Sequence, residues 1–478
     1  MTRRSALAAV VVLAAGEGTR MRSATPKSLH AVAGRSLLGH ILAATAPLQA
    51  GRTLVVVGHG GDEVTAALKA IDPEATAVPQ EQLRGTGHSA RVALEAAPDI
   101  DGTVLVVYGD MPLLTTETLQ RVLAAHADAT ARATLLSAYL PDPSGYGRIL
   151  RDDEGRVAGI VEHKDADDAQ RHITEVNAGV YAFEAAALRE HLTRLGTDNA
   201  QGEEYLTDVI AGLVAAADTV IAVVAEDWQE TLGVNDRAQL AEAGDVLRRR
   251  IIRQHQLAGV TVVDPASTWV DATVTIEPDA LIAPYTMLHG GTAIAAGAEI
   301  GPWSRLTDTT VGPDARVLAA TCVGAEIGPE ASVGPYTYLR PGTRLGRGAK
   351  AGGFVEIKAS AVGDGSKVPH LSYVGDTTIG AGSNVGAGTI TCNFDGTAKS
   401  TTEIGDNVFV GSGSMLVAPL SLGDGSYVAA GSTITDDVPP GSLGIARARQ
   451  ETKEGWAARR RSQQDEDRAH GDDRGDQQ

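Results

Sequence analysis

The chain has 478 residues, which predicts two or three domains. A hydrophobic content of 43% with 21% charged residues is typical of a soluble globular protein, and the net charge of −19 argues against nucleic acid as a partner. No apolar run reaches the length of a membrane span. The two cysteines, Cys322 and Cys392, form no metal motif, so we expect a cytoplasmic protein.

The N-terminal half, to residue 234, alternates short apolar runs with helical stretches. The runs at 8–13, 54–57 and 104–107 are predicted to be buried parallel strands, each ending in a Gly-rich loop. Ligands of doubly wound sheets bind at the carboxyl ends of the strands. We therefore predict a Rossmann-like α/β nucleotide-binding domain over residues 1–234. The basic and then apolar start also suits a signal peptide, but no small-residue cleavage site follows, so we interpret it as the first strand.

The loop after the first predicted strand reads LAAGEGTRM and is followed by Pro-Lys. Gly16 and Gly18 allow the backbone N–H groups to approach a phosphate, and Arg20 and Lys27 supply positive charge for a polyphosphate. Met21 stands where a Rossmann fingerprint has its third glycine, and the chain has no GxxxxGK sequence. An ordinary strand-to-helix turn is the alternative interpretation.

A connecting helix is predicted over 235–256, with Asn235 or Asp236 near its N-cap. Beyond it, residues 257–447 carry an aliphatic residue at every sixth position, often followed by Gly or Ala. This period fits neither a helix nor an ordinary strand and predicts a solenoid in which three hexapeptides close each triangular coil. The two cleanest runs are Val333, Leu339, Leu345, Ala351, Ile357 and Ile404, Val410, Leu416, Leu422, Val428, Ile434.

The six-residue rhythm breaks by one residue at Val362 and at Ile379, and by a larger insertion over 393–403. Insertions in a solenoid become loops on one face, which is often the binding face. The charged tail, residues 448–478, has no aliphatic residues after Trp456, and we predict that it is largely disordered.

Three charged or basic residues stand out within the solenoid pattern. His370 interrupts it beside a proline, and a histidine can remove an amine proton near neutral pH during acyl transfer from a thioester. Arg340 and Lys358 lie in Gly-rich, aliphatic coils and could clamp a phosphate, although solvated solenoid faces are the alternative. Hexapeptide solenoids also occur in structural and metal-binding proteins, so the repeat alone names no reaction.

The complete string LAAGEGTRM with Pro26-Lys27 resembles the signature of the sugar-nucleotide pyrophosphorylases, which join a nucleoside triphosphate to a sugar 1-phosphate. The resemblance implies that Arg20 and Lys27 are the catalytic cations and that Asp110 and Asn235 hold Mg²⁺. Taken alone, both metal ligands could instead cap helices. The residues that it assigns to the nucleotide and sugar are Leu13, Ala14, Ala15, Gly16, Lys27, Gln80, Gly85, Thr86, Tyr108, Gly109, Asp110, Gly147, Glu162, Asn177 and Asn235.

With HLSYVGD and GAGTITCNFDG in the solenoid, about the first 456 residues resemble the bacterial family of bifunctional N-acetylglucosamine-1-phosphate uridylyltransferase and glucosamine-1-phosphate N-acetyltransferase. The resemblance implies that His370 is the acetyl-transfer base. It implies that Arg340, Lys358, Tyr373 and Asn384 surround the glucosamine phosphate. It assigns the acetyl-coenzyme A groove to Ala387, Asn393, Phe394, Ser412, Ala430 and Arg447.

Two positions depart from the family pattern. Phe394 stands where the family usually has Tyr, and the segment around Arg447 differs from typical versions. The resemblance further implies a left-handed parallel β-helix and a homotrimer, with the acetyl site between subunits; the six-residue period itself reveals no handedness. UTP, N-acetylglucosamine 1-phosphate, glucosamine 1-phosphate and acetyl-coenzyme A are the implied substrates.

Two other functions remain open at this stage. The chain could be a nucleotidyltransferase only, with the solenoid as an oligomerisation or regulatory arm. It could also be a structural solenoid or sugar-binding module without activity, which would leave the N-terminal signature unexplained.

Overall fold

A computed structural model describes residues 7–472, with side chains described to residue 468. Contacts divide the chain into two compact units, residues 1–310 and 311–478. The division falls inside the solenoid, so the domain boundaries at 234 and 256 stay predictions.

The first unit begins with a nine-stranded mixed sheet in the order β11-β7-β10-β6-β1-β4-β5, with β8 paired to β10 and β9 paired to β8. Strands β4, β1 and β6 are parallel neighbours, as the three apolar runs predicted, whereas β10 is antiparallel to β6 and β7. The small strands β2 and β3 form a separate hairpin. The strands are β1 Leu7–Ala14, β2 Ala31–Val32, β3 Arg35–Ser36, β4 Arg52–Val57, β5 Thr76–Pro79, β6 Thr103–Tyr108, β7 Ala133–Tyr139, β8 Arg148–Arg151, β9 Val157–Val161, β10 Glu175–Glu184 and β11 Val220–Val224.

Helices cover both faces of this sheet. Val11 of β1 joins one buried cluster, and Val10 and Val12 join the cluster on the opposite face. Burial on both faces explains why the strands are continuous apolar runs. The helices are α1 Leu37–Thr45, α2 Gly61–Ile71, α3 Thr86–Ala96, α4 Thr116–Asp128, α5 Asp168–Arg171, α6 Ala185–Leu192, α7 Thr207–Ala215 and α8 Arg237–Leu257, with 3₁₀ turns at Thr19–Met21, Lys27–Leu29, Ala46–Leu48 and Trp228–Thr231.

Helix α8 is the predicted connecting helix; it begins two residues later and ends one residue later than the predicted range 235–256. Its N-cap is Asp236, whose carboxylate accepts from the backbone N–H of Gln239 at 2.9 Å. The first unit then enters the solenoid. Its strands there are β12 Thr261–Val262, β13 Trp269–Val270, β14 Thr275–Ile276, β15 Leu281–Ile282, β16 Met287–His289, β17 Ala293–Ile294, β18 Glu299–Ile300 and β19 Arg305–Thr307, and β20 Thr310–Val311 lies at the division.

In the second unit every third strand pairs in parallel with the next coil, which builds three sheets around one core. This is the parallel β-helix of hexapeptide repeats, left-handed as the family resemblance implied. The strands are β21 Arg316–Val317, β22 Ala320–Val323, β23 Glu326–Ile327, β24 Ser332–Val333, β25 Thr337–Leu339, β26 Arg344–Leu345, β27 Lys350–Gly353, β28 Glu356–Lys358, β29 Ala361–Val362, β30 Lys367–His370, β31 Tyr373–Gly375, β32 Thr377–Ile379, β33 Asn384–Val385, β34 Ile390–Cys392, β35 Thr402–Ile404, β36 Phe409–Val410, β37 Met415–Val417, β38 Leu420–Leu422, β39 Tyr427–Val428, β40 Thr433–Ile434 and β41 Leu443–Gly444.

The aliphatic residues of the repeat form this core. All eleven residues of the two cleanest runs are buried, with Ile434 the most exposed at 5%. The coils approach so closely at their corners that a Cβ at Gly352 would overlap the carbonyl oxygen of Pro369 in the next coil. The small residues of the repeat are therefore required where coils meet.

Two edges of this prism carry the predicted acetyl-transfer residues. The His370 edge joins the sheet of β30, β33, β36 and β39 to the sheet of β31, β34, β37 and β40, with His370 at its corner. The Asp376 edge follows the carboxyl ends of β28, β31 and β34 and contains Lys358, Asp376 and Asn393.

The tail differs from its prediction over helix α9, Trp456–Asp472. Ala, Arg, Gln and Glu favour helix locally even where no apolar face is buried, and the described side chains of this helix are exposed. The remaining tail residues, 473–478, lie outside the described residues. No helix in the described part of the chain has both the length and the apolar character needed to cross a membrane.

Candidate functional site

A pocket of about 520 Å³ opens at the carboxyl ends of β1 and β6, where the sheet is expected to bind ligands. Eleven predicted nucleotide residues line it: Leu13, Ala14, Ala15, Gly16, Lys27, Gln80, Gly85, Thr86, Tyr108, Gly109 and Asp110. Sequence reasoning did not single out the others, which are Glu17, Ser28, Leu83, Ser89 and Glu203. The fold brings the first eleven together from four separate segments of the chain.

A second cavity, of about 280 Å³, shares Tyr108 and Asp110 with the first. The predicted residues Arg20, Gly147, Glu162, Asn177 and Asn235 line it. Because the two cavities have walls in common, two ligands bound there would meet beside Asp110.

A cationic side chain lies where the metal was predicted. The Lys27 ammonium donates to Asp110 Oδ2 at 2.5 Å and to Asn235 Oδ1 at 2.8 Å. The backbone at Gly18 has φ +64°, and a Cβ there would lie 2.6 Å from the Lys27 Cβ, so glycine is needed for Lys27 to pack beneath the loop. The two oxygens thus converge on one positive charge.

Neither predicted metal ligand caps a helix. The caps of the helices that follow them are Thr115 for α4 and Asp236 for α8. In the described ranges no cluster of three or more His, Cys, Asp or Glu side chains could hold a metal ion. Asp110 and Asn235 offer two oxygens side by side, the type of donor that hard cations prefer.

The second cavity is built from buried polar groups. Burial raises the pKa of Glu162, whose Oε1 accepts from the Thr207 hydroxyl at 3.0 Å. The Asn177 amide donates to the Tyr181 hydroxyl at 2.6 Å, and burial raises the pKa of both Tyr181 and Tyr108. These groups offer acceptors and donors in fixed positions, as a sugar with hydroxyl groups requires.

In the second unit, a charged cluster lies on the Asp376 edge. The Lys358 ammonium donates to both carboxylate oxygens of Asp376 at 3.1 and 3.2 Å, and Asn393 Nδ2 donates to the same carboxylate at 2.5 Å. Burial alone would raise the pKa of Asp376, but these donors lower it, and Asp376 in turn raises the pKa of Lys358. Lys399 of the insertion loop interacts with Lys358.

Arg340 and Tyr373 belong to the same face. Arg340 pairs with Glu356 at 2.9 Å, and Glu356 lies opposite Tyr373 in the sheet register. The Tyr373 hydroxyl and Asn393 Nδ2 both lie beside Gly375: a Cβ built on this glycine would be 2.5 Å from the hydroxyl and 2.7 Å from the amide nitrogen. Sequence reasoning missed Glu356, Asp376 and Lys399. Asp376 ends the quoted HLSYVGD motif and Lys399 lies in the insertion, so both had a signal.

The His370 edge holds a second group of predicted residues in successive coils. The His370 carbonyl accepts from Gly388 N at 3.3 Å, Ala387 O from Gly413 N at 2.8 Å, and Ser412 O from Gly431 N at 2.9 Å. His370, Ala387, Ser412 and Ala430 therefore stand one above another, and Arg447 lies 3.9 Å from the Cβ position of Gly431.

Within one chain, the predicted acetyl site is split. Asn393 and Phe394 follow β34 at the Asp376 edge, whereas the column above His370 occupies the other edge of that face. Asn384 points out of the neighbouring sheet, where it pairs with Lys367 and Phe409. The described part of one chain places these three groups on different edges and faces of the prism.

The fold and pocket define a nucleotidyltransferase of the α/β type joined to a hexapeptide-repeat transferase. Family models agree: residues 10–146 match the MobA-like NTP transferase domain, and residues 401–436 match the bacterial transferase hexapeptide (six repeats).

Curated relatives match nearly the whole chain. The bifunctional protein GlmU of Streptomyces coelicolor is 55% identical over 456 residues, covering 95% of each chain. That of Kineococcus radiotolerans is 53% identical over 96% of this chain and 94% of its own, and that of Mycolicibacterium vanbaalenii is 52% identical over 95% and 93%. The chain therefore belongs to the GlmU family. It is a bifunctional transferase of UDP-N-acetylglucosamine synthesis, which serves the cell wall, and the single-function and non-enzymatic interpretations are set aside.

Proposed function

We propose that the N-terminal pocket transfers the uridylyl group of UTP to N-acetylglucosamine 1-phosphate. A phosphate oxygen of the sugar attacks the α-phosphorus, the bond from that phosphorus to the bridging oxygen breaks, and pyrophosphate leaves. The observation that carries this assignment is the pair of cavities joined at Tyr108 and Asp110, one lined by the LAAGEGTRM loop and the other by Glu162 and Asn177. The protein supplies no nucleophile, so its contribution is position and charge.

Arg20 and Lys27 have the electrostatic role in this proposal. Arg20 lines the sugar cavity and Lys27 the nucleotide pocket, so their positive charges face the reacting phosphates from two sides. Mg²⁺ would be held by Asp110 and Asn235, and when bound it would neutralise phosphate charge. The donor set fits the ion because both oxygens already converge on one cation, the Lys27 ammonium.

For the solenoid we propose acetyl transfer from acetyl-coenzyme A to the amine of glucosamine 1-phosphate. The amine nitrogen of the acceptor attacks the thioester carbonyl while His370 removes a proton from that amine. The carbon–sulfur bond then breaks, and coenzyme A leaves as a thiol once its thiolate takes up a proton. Arg340, Lys358 and Tyr373 would hold the acceptor phosphate, with Asn384 completing the site. The support is the concentration of positive charge at the Asp376 edge beside a hydrogen-bonding hydroxyl.

The split site supports a homotrimer. We propose that Ala387, Ser412, Ala430 and Arg447 of one subunit meet Asn393 and Phe394 of the next along the acetyl-coenzyme A groove. Flat-sided prisms can pack edge against face around a threefold axis, which would bring together groups that one chain holds apart. A cytoplasmic location suits both reactions and the two free cysteines, Cys322 and Cys392.

The test supplies glucosamine 1-phosphate, acetyl-coenzyme A, UTP and Mg²⁺ and measures free thiol and pyrophosphate separately. We expect His370→Ala to lose thiol release and keep pyrophosphate release with N-acetylglucosamine 1-phosphate, and Asp110→Ala to show the reverse. The exposed residues His172 and Asp128 provide matched controls, His172→Ala and Asp128→Ala. Unchanged acetylation by His370→Ala would overturn the base assignment.

A further inference from the structure

Strand β10 is irregular between Asn177 and Tyr181. Asn177 faces Ser137 of β7 and Tyr181 faces Leu135, so four residue steps in β10 match only two in β7, and Gly179 between them has φ +71°. In a regular strand, residues four apart are separated by roughly 13 Å, whereas two steps span roughly 7 Å. The irregularity therefore brings the two side chains into contact, and Asn177 Nδ2 donates to the Tyr181 hydroxyl at 2.6 Å.

The backbone fixes the orientation of the Asn177 amide. The Gly179 N–H donates to Asn177 Oδ1 at 3.3 Å. Because a backbone N–H can only donate, a reversed amide would set two donors against each other. Nδ2 is consequently the atom that faces Tyr181, and the hydroxyl oxygen of Tyr181 accepts from it.

The Tyr181 hydroxyl has a second partner in Tyr108. Burial raises the pKa of Tyr108, and the hydrogen bond from Tyr181 opposes that rise. The Tyr108 ring also packs directly against Gly179, where a Cβ would lie 2.6 Å from Tyr108 Cδ2. The irregular segment of β10 is thus held by Tyr108 from outside and by Tyr181 from within its own strand.

Tyr181 lies behind the second cavity. The described lining of that cavity includes Tyr108 and Asn177 but not Tyr181, which is 0% exposed. Among the contacts of the described residues, one N–H of Asn177 Nδ2 and one lone pair of Oδ1 have no partner, so both are available to a ligand. Resting on the sugar binding proposed above, we propose that Tyr181 is a positioning residue that orients Asn177 toward N-acetylglucosamine 1-phosphate without touching the sugar.

The test uses Tyr181→Phe, Asn177→Ala and the double variant in the pyrophosphate assay with UTP and Mg²⁺. Tyr181→Phe keeps the ring, which is stacked on Phe183 with 5.6 Å between the centroids, and removes only the hydroxyl. We expect KM for N-acetylglucosamine 1-phosphate to rise about tenfold, because Asn177 loses the partner of its amide. KM for UTP and kcat should change by no more than about twofold, since the described lining of the nucleotide pocket contains neither Asn177 nor Tyr181.

The double variant separates positioning from a merely structural role. If Tyr181 acts through Asn177, Tyr181→Phe should change KM by no more than about twofold once Asn177 is already alanine. A further tenfold rise in the double variant would overturn the inference, as would an unchanged KM in Tyr181→Phe or equal losses for the sugar phosphate and UTP.

The controls report on folding and on the underlying reaction. Tyr285→Phe makes the same substitution at a tyrosine that is 56% exposed and should behave as the unmodified protein. Melting temperature and acetyl transfer are measured for every preparation. Should Tyr181→Phe alone fail to fold, the comparison of the double variant with Asn177→Ala still decides, because no amide N–H is then left without its acceptor. Failure of the unmodified protein to use N-acetylglucosamine 1-phosphate would instead refute the proposed uridylyl transfer.

Discussion

Lys358 is the residue whose proposed role can be tested most directly. Its ammonium is placed by two contacts of 3.1 and 3.2 Å to Asp376, with Arg340 and Lys399 as the other cations of the cluster. A charge-assisted hydrogen bond contributes about 1.5–3 kcal/mol, and each ~1.4 kcal/mol changes a rate or binding constant tenfold. Lys358→Met should therefore lower kcat/KM for glucosamine 1-phosphate by roughly 10- to 150-fold.

The Asp376 carboxylate, which loses its ammonium partner in this variant, affects the size of the expected loss. In Lys358→Met, Asp376 faces the incoming phosphate without its ammonium partner and repels it, so the loss should lie in the upper part of the range. The double variant with Asp376→Asn removes that repulsion and should recover part of the activity. A double variant no better than the single one would show that the carboxylate does not face the phosphate.

Acetyl transfer is followed as thiol release while glucosamine 1-phosphate is varied. Pyrophosphate release by the same preparations should be unchanged, because Lys358 belongs to the second unit. Lys69→Met, an exposed lysine of helix α2, is the matched control. If Lys358→Met stays within about threefold of the unmodified protein, the phosphate-binding role is refuted, since even the lower estimate of the lost contact exceeds that factor.

Three further outcomes are expected. Glu162→Gln should raise KM for N-acetylglucosamine 1-phosphate by about tenfold in the pyrophosphate assay, because the substitution replaces the carboxylate acceptor in the sugar cavity with an uncharged amide. The same substitution at the exposed Glu154 should have no effect. Burial lowers the pKa of His40 and His126 in the folded protein. As the pH falls through about 6.5, these two histidines therefore bind protons in the unfolded chain before they do so in the folded one, which favours unfolding. The melting temperature should be highest above that pH and decline below it, and a flat profile would contradict this. Phe394 is 58% exposed, so Phe394→Tyr should change KM for acetyl-coenzyme A by no more than about twofold; a tenfold tighter KM would mean that a hydroxyl contact is missing in this chain.

Local patterns predicted the parts of the fold that depend on local geometry. The loop after β1 was recognisable because Gly18 must adopt a positive φ beside Lys27, and the solenoid because each buried aliphatic residue recurs with the coil. Contacts between distant residues left no such signal. Lys27 meets Asp110 and Asn235 only because the sheet places three separate loops at one edge.

The missed residues have the same physical explanation. Asp376 and Lys358 are partners because they occupy adjacent coils at the same corner, a relation that follows from the register and not from either motif. His88 and Ser89 were hidden beside the predicted Gly85 and Thr86, since their side chains contact Gln80 from the first turn of α3. The tail was assigned to disorder because it has no face to bury; its helix α9 is composed largely of residues that favour helix.

The insertion at 393–403 leaves the stacking of the coils intact. Tyr373 pairs with Ile390 in the next coil, and Met415 pairs with Thr433, at nearly equal chain separation. Between them, Ile390 pairs with Met415 in the same sheet across the longer loop. Phe394 and Lys399 close this loop on itself through an isolated antiparallel bridge. A change of length within this loop is therefore expected to leave the pairing of the coils on either side unchanged.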